Sequence, residues 1–386
     1  MVNIREIKKE IISFFEENSD KLEWKRLCTN QIIPTSFFEN HLDKVDWTKL
    51  SQNKYLNVFF FEKHIDKVNW MYLTENSGLN VDFFKRHYDE IRHDWEGLCK
   101  NENLPESFFL EYENEINSKE CSENLSLNRN LSISFYEDYL STHWRYLCTR
   151  EDIPFSFFEE HFEDVYYYFD NLCTNNNIPV SFFEKHLDMI DWSEICLNEN
   201  IPISFFEKNL DMIDWQYICG NKAIPESFLE ENIDEICWDY LCANEGISES
   251  FFEKHSDKVN WYLLSKNENI GASFFEKHLD NLNWYFLCSN RNIGEDFFER
   301  HLDKVEWEIL CTNNNLSFSF LKRHSDKINF GYFSSNNFET YLKKLEKGEF
   351  LKLRKDIENL PLLPSNTFPY LPKGGLDYMV MINKYN

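Results

Sequence analysis

The sequence predicts an all-α protein: an α-solenoid of about fourteen two-helix repeats of about 23 residues, followed by a non-repeat C-terminal segment. Three observations carry this. From Trp192 through Trp215, Trp238, Trp261, Trp284 and Trp307 to Phe330 the step is 23 residues every time, and Trp24, Trp47 and Trp70 keep the same step. Three positions after this tryptophan slot an apolar residue stands in all fourteen copies, from Leu27 and Leu50 to Leu310 and Phe333. Six positions after it stands Asn in thirteen of the fourteen, with Arg150 the exception. A single-copy fold has no reason to set a large, rare residue on such a ruler, whereas stacked identical units do.

The first half of each copy reads as a helix. Pro34 near its start, Ser36 as an N-cap and Glu39 close behind mark a beginning. Phe37, Phe38, His41, Leu42 and Val45 then share one side at 3.6-residue spacing, which predicts an amphipathic helix of two to three turns. The second half opens on Asp46, Asn69, Asp191, Asp214, Asn260 or Asn283 directly before the tryptophan slot, suited to the N-cap of a shorter helix. The Asn column that follows suits the end of a helix, since Asn tolerates the left-handed conformation and its amide can bond loop backbone groups. One such unit buries too little apolar surface to stand alone, so the units come in series.

Residues 1–336 therefore form one elongated repeat domain, whose register slips around 71–169. Trp95 follows Trp70 by 25 residues, Ser122 fills the next slot, and Phe169 replaces Trp. Glu111 to Arg129 is the most degenerate stretch, either neutral drift in a redundant array or a looser place where the chain hinges or binds. Residues 337–386 leave the pattern: Lys343, Lys344, Lys347, Lys352, Arg354 and Lys355 make a basic helix, and Pro361, Pro364, Pro369 and Pro372 then break the chain. From Tyr341 to Asn386 the net charge is +3, against −30 for the rest. This segment is expected to cap the apolar end of the solenoid, or to serve as a basic docking tail for assembly.

The formal net charge of −27 opposes nucleic acid and anionic membrane as partners. No apolar run of membrane-spanning or signal-peptide length occurs, so the expectation is an intracellular, cytoplasmic protein. Nine of the eleven cysteines fall in one slot, four residues after the tryptophan: Cys28, Cys99, Cys148, Cys173, Cys196, Cys219, Cys242, Cys288 and Cys311. Equivalent residues of stacked helices lie roughly 8–10 Å apart, too far for disulfides within that column. Ser51, Thr74, Ser126, Ser265 and Ser334 fill the other copies, so reduced, buried thiols in a reducing compartment are expected.

Nine histidines share another slot: His41, His64, His87, His161, His186, His255, His278, His301 and His324. Close pairs such as C-x-x-C or H-x-x-x-H, the usual zinc signatures, are absent, and Asn18, Asn209, Asn232, Tyr112 and Tyr139 replace His freely. The column is read as structural, with no metal and no cofactor. No phosphate loop, nucleophile elbow or H-E-x-x-H motif is present either, and an enzyme is not expected. The slot two residues after the tryptophan varies most, and from Tyr217 through Tyr240, Leu263, Phe286 and Ile309 to Tyr332 it is continuously aromatic or aliphatic. These six residues form the candidate partner-binding stripe, the alternative being partial burial against the next copy.

The unit P-x-S-F-F-E-K-H-L-D-K-V-x-W-x-x-L-C-x-N resembles tandem aromatic helical repeats in proteins of large DNA viruses of amoebae and algae. The likeness covers Ser13 to Asn336 and lies in the period, the Trp-x-x-Leu core and the Asn that follows; several of those repeats carry Asn-Pro where this chain has Asn-x-Ile-Pro. The resemblance implies a viral solenoid in host cytoplasm or particle, with no catalytic residues to carry over. The sequence thus points to a non-enzymatic, acidic scaffold that binds other proteins, or else to a minor capsid or scaffold component of a virus particle.

Overall fold

The computed structural model describes residues 4–116, 119–139 and 144–358. Among them every regular element is helical, and all fourteen copies carry both of their helices. In the copy of Val180–Lys185 and Trp192–Leu197, each helix is six residues long. Most first helices are therefore shorter than the two to three turns expected, the 14-residue helix Ile4–Glu17 of the first copy being the longest. His186 already stands at the C-cap, φ −128°, so the histidine slot ends the helix instead of continuing its apolar face.

The caps also differ in part from expectation. The N-cap of the first helix is the proline position, as at Pro34 and Pro179, and Ser36 lies inside the helix. Where Asn57, Asn80, Ser248 or Ser317 takes the proline position, its side chain accepts the backbone N–H three residues on. Five of the six residues expected to cap the second helix do so, Asp46, Asp191, Asp214, Asn260 and Asn283 each accepting from its first-turn amides, whereas the Asn69 side chain makes no cap bond.

Three kinds of bond join one copy to the next. Each slot tryptophan stacks on the first Phe of the following copy, as Trp24 does on Phe37 with ring centroids 5.8 Å apart and planes 28° apart. The cysteine slot accepts a backbone N–H from the next copy, 3.4 Å from Asp46 N to Cys28 Sγ and 2.9 Å from Asn69 N to Ser51 Oγ, which explains why only small, weakly polar side chains occupy it. The Asn column forms the third. Asn221 Nδ2 donates to the carbonyls of Cys196 and Asn198 in the preceding copy at 2.8 and 3.2 Å, while its Oδ1 accepts from Ala223 N at 2.9 Å. Asn53 and Asn198 keep an extended backbone, so the left-handed conformation expected of this column is not used; the amide works across copies instead. Arg150 replaces Asn and makes the same two bonds, to Ser126 O at 3.3 Å and Asn128 O at 3.0 Å, with Asp152 balancing its charge.

Residues 5–341 form one compact unit, and within it the array is not open. The last copy meets the first through the same three kinds of contact. Asn30 Nδ2 donates to Ser334 O and Asn336 O, both at 3.1 Å, and Glu23 N donates to Ser334 Oγ at 2.9 Å. Phe14 stacks on Phe330 at 5.8 Å and 27°, matching Trp24 on Phe37. The expected elongated solenoid is thus a closed array, and closure gives the first and last copies the cover that free ends would need from caps. The chain leaves the last copy at Phe338, held at φ +52° with its ring packed on Phe318 and Phe333.

The slips in register are absorbed locally. The longer steps to Trp95 and Phe169 become additional turns, Tyr88–Ile91 and Phe162–Tyr168, inserted before the second helix. A single helix, Glu339–Glu358, follows the repeats. The Pro-containing part of the expected cap or docking tail, residues 359–386, lies outside the described residues.

Candidate interaction surface

The second helix fixes what each copy shows to its surroundings. Its third and fourth residues after the tryptophan point into the core, as fully buried Leu241 and Cys242 do, which leaves the first and second positions on the outer side of the turn. Successive second helices pack directly on one another, 192–197 on 215–218, 238–243 on 261–264 and 284–289 on 307–310. Their outer positions therefore form a continuous surface.

The six residues of the candidate stripe do lie along this surface, but five of them, Tyr217, Leu263, Phe286, Ile309 and Tyr332, are half-buried, and only Tyr240 is exposed, at 39 %. Each aromatic packs partly under its neighbour. Tyr217 meets Tyr240 with ring centroids 6.1 Å apart, Gln216 Nε2 donates to the Tyr240 hydroxyl at 2.6 Å, and Arg26 of the first copy covers the Tyr332 ring at 4.6 Å. The most exposed aromatics here stand one position earlier, Tyr262 at 53 % and Tyr285 at 52 %, and both touch Phe286, at 4.5 and 5.2 Å. Reading one slot at a time misses them, because only Met71, Tyr262 and Tyr285 are large and apolar in the first position. Reading the first and second positions together as one helix face would have found them. From Gln216 to Ile309 those ten positions hold two acids, Asp239 and Glu308, on a chain of net charge −27.

The histidine and cysteine columns are committed to the stack. His41, His64, His87, His255, His278, His301 and His324 each place Nε2 at 2.7–3.3 Å from a glutamate of the preceding copy, Glu16, Glu39, Glu62, Glu230, Glu253, Glu276 and Glu299. A Lys or Arg of the same copy reaches many of these carboxylates too; Lys63 first and His64 next hold Glu39 below the usual carboxylate range. Burial pushes the slot thiols up, Cys242 to about 11 and Cys196 to about 12, which disfavours the thiolate needed for nucleophilic or metal-binding chemistry. Among the described residues, no group of three or more His, Cys, Asp or Glu side chains converges as a metal site requires, and no helix is long and apolar enough to cross a membrane. Comparison of the chain with family models, with curated proteins and with solved structures gives no match.

Proposed function

We propose that this chain is a non-enzymatic scaffold of helical repeats that binds other proteins, and that it does so through the aromatic surface of the second helices between Gln216 and Ile309. One observation carries the reading: Tyr240, Tyr262 and Tyr285 are exposed side by side on successive copies, over half-buried Tyr217, Leu263 and Phe286, with little charge among them. Tyrosines give large contact area at small entropic cost, and their hydroxyls tolerate water when the surface is free. Single side chains elsewhere are as exposed, Phe59, Met71 and Tyr167 among them, but here large apolar residues follow one another on successive second helices. Seven of the nine slot histidines bond a glutamate of the preceding copy, a structural use that supports the non-enzymatic reading.

The alternative, a minor capsid or scaffold component of a virus particle, would have to assemble through surfaces other than the ends of the array, because those ends already satisfy each other. Serine at Tyr240, Tyr262 and Tyr285 together tests the binding role. Proteins retained by the immobilised wild-type chain should be lost, with the urea midpoint of the variant close to that of the wild type. Retention of the same proteins by the triple variant would place binding elsewhere.

A further inference from the structure

Two cysteines stand outside the cysteine slot, Cys121 and Cys237, and both occupy the position directly before the tryptophan slot. That position faces the cysteine slot of the preceding copy. In neighbouring copies the backbone N of the facing residue lies 3.4 Å from Cys28 Sγ and 3.3 Å from Cys242 Sγ. The side chains meet as well: Thr74, in the slot, donates from Oγ1 to Oδ2 of Asp94 at 2.6 Å. A cysteine before the tryptophan therefore brings its sulfur against a slot cysteine of the copy before. Cys121 does so, its thiol hydrogen-bonded with that of Cys99. Cys237 holds the same position, its backbone N–H donated to Cys219.

The spacing of stacked helices excludes disulfides between equivalent slots but not between these non-equivalent ones, 18 residues apart in the case of Cys219 and Cys237. Both members of the first pair are buried, whereas Cys237 is half-buried and open to a reagent, with Cys219 behind it. All four are free thiols in this structure.

We propose that Cys219 and Cys237 form a redox-reactive dithiol that small-molecule disulfides oxidise to an inter-copy disulfide, stapling two successive repeats. The Cys237 thiolate attacks one sulfur of the small disulfide, forming a mixed disulfide and releasing one small thiol. Cys219, its proton passing to solvent, then attacks Cys237 Sγ; the mixed disulfide breaks and the second small thiol leaves. Two protein thiols lose two electrons and two protons, and the small disulfide gains them as two thiols. Burial raises the Cys219 thiol to about 11, so the second step is the slower one and quickens with rising pH.

Oxidised glutathione, added to the native full-length chain, is the probe, and intact mass with peptide mapping after alkylation is the readout. The expected product is two hydrogens lighter than the reduced chain, with Cys219 and Cys237 in one linked peptide, and dithiothreitol reverses it. The control substitutions use residues that other copies already carry at these positions. Cys219→Ser, as at Ser265, should arrest at one glutathione on Cys237, and Cys237→Asn, as at Asn260, should take up none at this site. Arrest of the wild-type chain at the mixed disulfide, an unreacted Cys237, or linkage of Cys237 to another cysteine would each overturn the proposal.

Discussion

The seam where the last copy meets the first and the irregular stretch from Trp95 to Asn176 are opposites. At the seam copies far apart in sequence meet, yet the regular bonds are present: the Asn30 amide on two carbonyls, Glu23 N on Ser334 Oγ, and Phe14 stacked on Phe330. In the irregular stretch successive copies are neighbours in sequence, but its bonds are incomplete. The buried side-chain polar atoms without a hydrogen-bond partner among the described residues are Trp95 Nε1, Asn128 Nδ2, Asn171 Oδ1 and Asn176 Oδ1, all within this stretch. Each such atom costs about 1–3 kcal/mol. The difference teaches that integrity follows the ladder of bonds between copies, so the seam is expected to hold while the irregular stretch opens first.

The largest expected effect comes from breaking the seam. Phe15 is fully buried and packs on Phe333 across it, ring centroids 5.3 Å apart. Phe15→Ala should cost about 3–5 kcal/mol through lost contact and the cavity left behind. Hydrogen exchange should then rise together in residues 5–30 and 318–336. An increase confined to the first copy would show that closure contributes nothing to the last one.

A smaller effect separates the two kinds of Asn. Replacing Asn221 by Ala strands the Cys196 carbonyl and the Ala223 amide and leaves Asn198 O with its bond from Ile201 N, at about 1–3 kcal/mol for each stranded group that water fails to reach. Asn128→Ala removes only the bond from Asn130 N to its Oδ1, since its Nδ2 has no partner to lose. Urea midpoints should fall several-fold further for the first substitution than for the second. Equal falls would mean that the irregular stretch is as well bonded as the rest.

Much of the fold was legible because each structural duty falls on one slot per copy. The Trp ruler, the core Leu and the capping Asp and Asn are each a single residue type at a fixed spacing, and the structure uses them as read. Closure was not legible, because it depends on the small rotation between copies, which accumulates from the packing of two helix layers and leaves no motif. Nor do the seam residues mark it: Phe330 in the tryptophan slot and Asn18 and Lys322 in the His and Glu slots have counterparts away from the seam in Phe169, Asn209 and Lys85. Asn18 instead bonds its own helix at Phe14 O, 2.9 Å away. The Asn column was located correctly and its conformation was not, since its bonds run between copies and local preference says nothing about them. The candidate stripe was legible to one slot, which finds Tyr240 and misses Tyr262 and Tyr285 because a helix face spans more than one position per turn.

The smallest expected effect is on acidification, and it tests the same contrast. Glu62 and Glu276 are held below the usual carboxylate value of 4.5 by Arg86 and Arg300 first and by His87 and His301 after, whereas His278 is the first cause at Glu253 and His324 at Glu299. A carboxylate lowered in this way adds stability that is complete above its unfolded value and disappears as the pH falls through the lower folded one. These pairs are largely exposed, so each contributes little and salt weakens it. Acid also relieves the repulsion within a chain of net charge −27, an opposing change that acts on every copy. Comparison within the molecule separates the two. His161 spends Nδ1 on Phe157 O of its own helix, so the irregular stretch has less of the ladder to lose. Between pH 6 and pH 3 at low salt, hydrogen exchange should therefore rise more in residues 249–324 than in residues 144–173, and added salt should shrink that difference. A uniform rise across both would leave the glutamate–histidine rungs without a share in stability, and the ladder would rest on the Asn column, the cysteine-slot bonds and the aromatic stack.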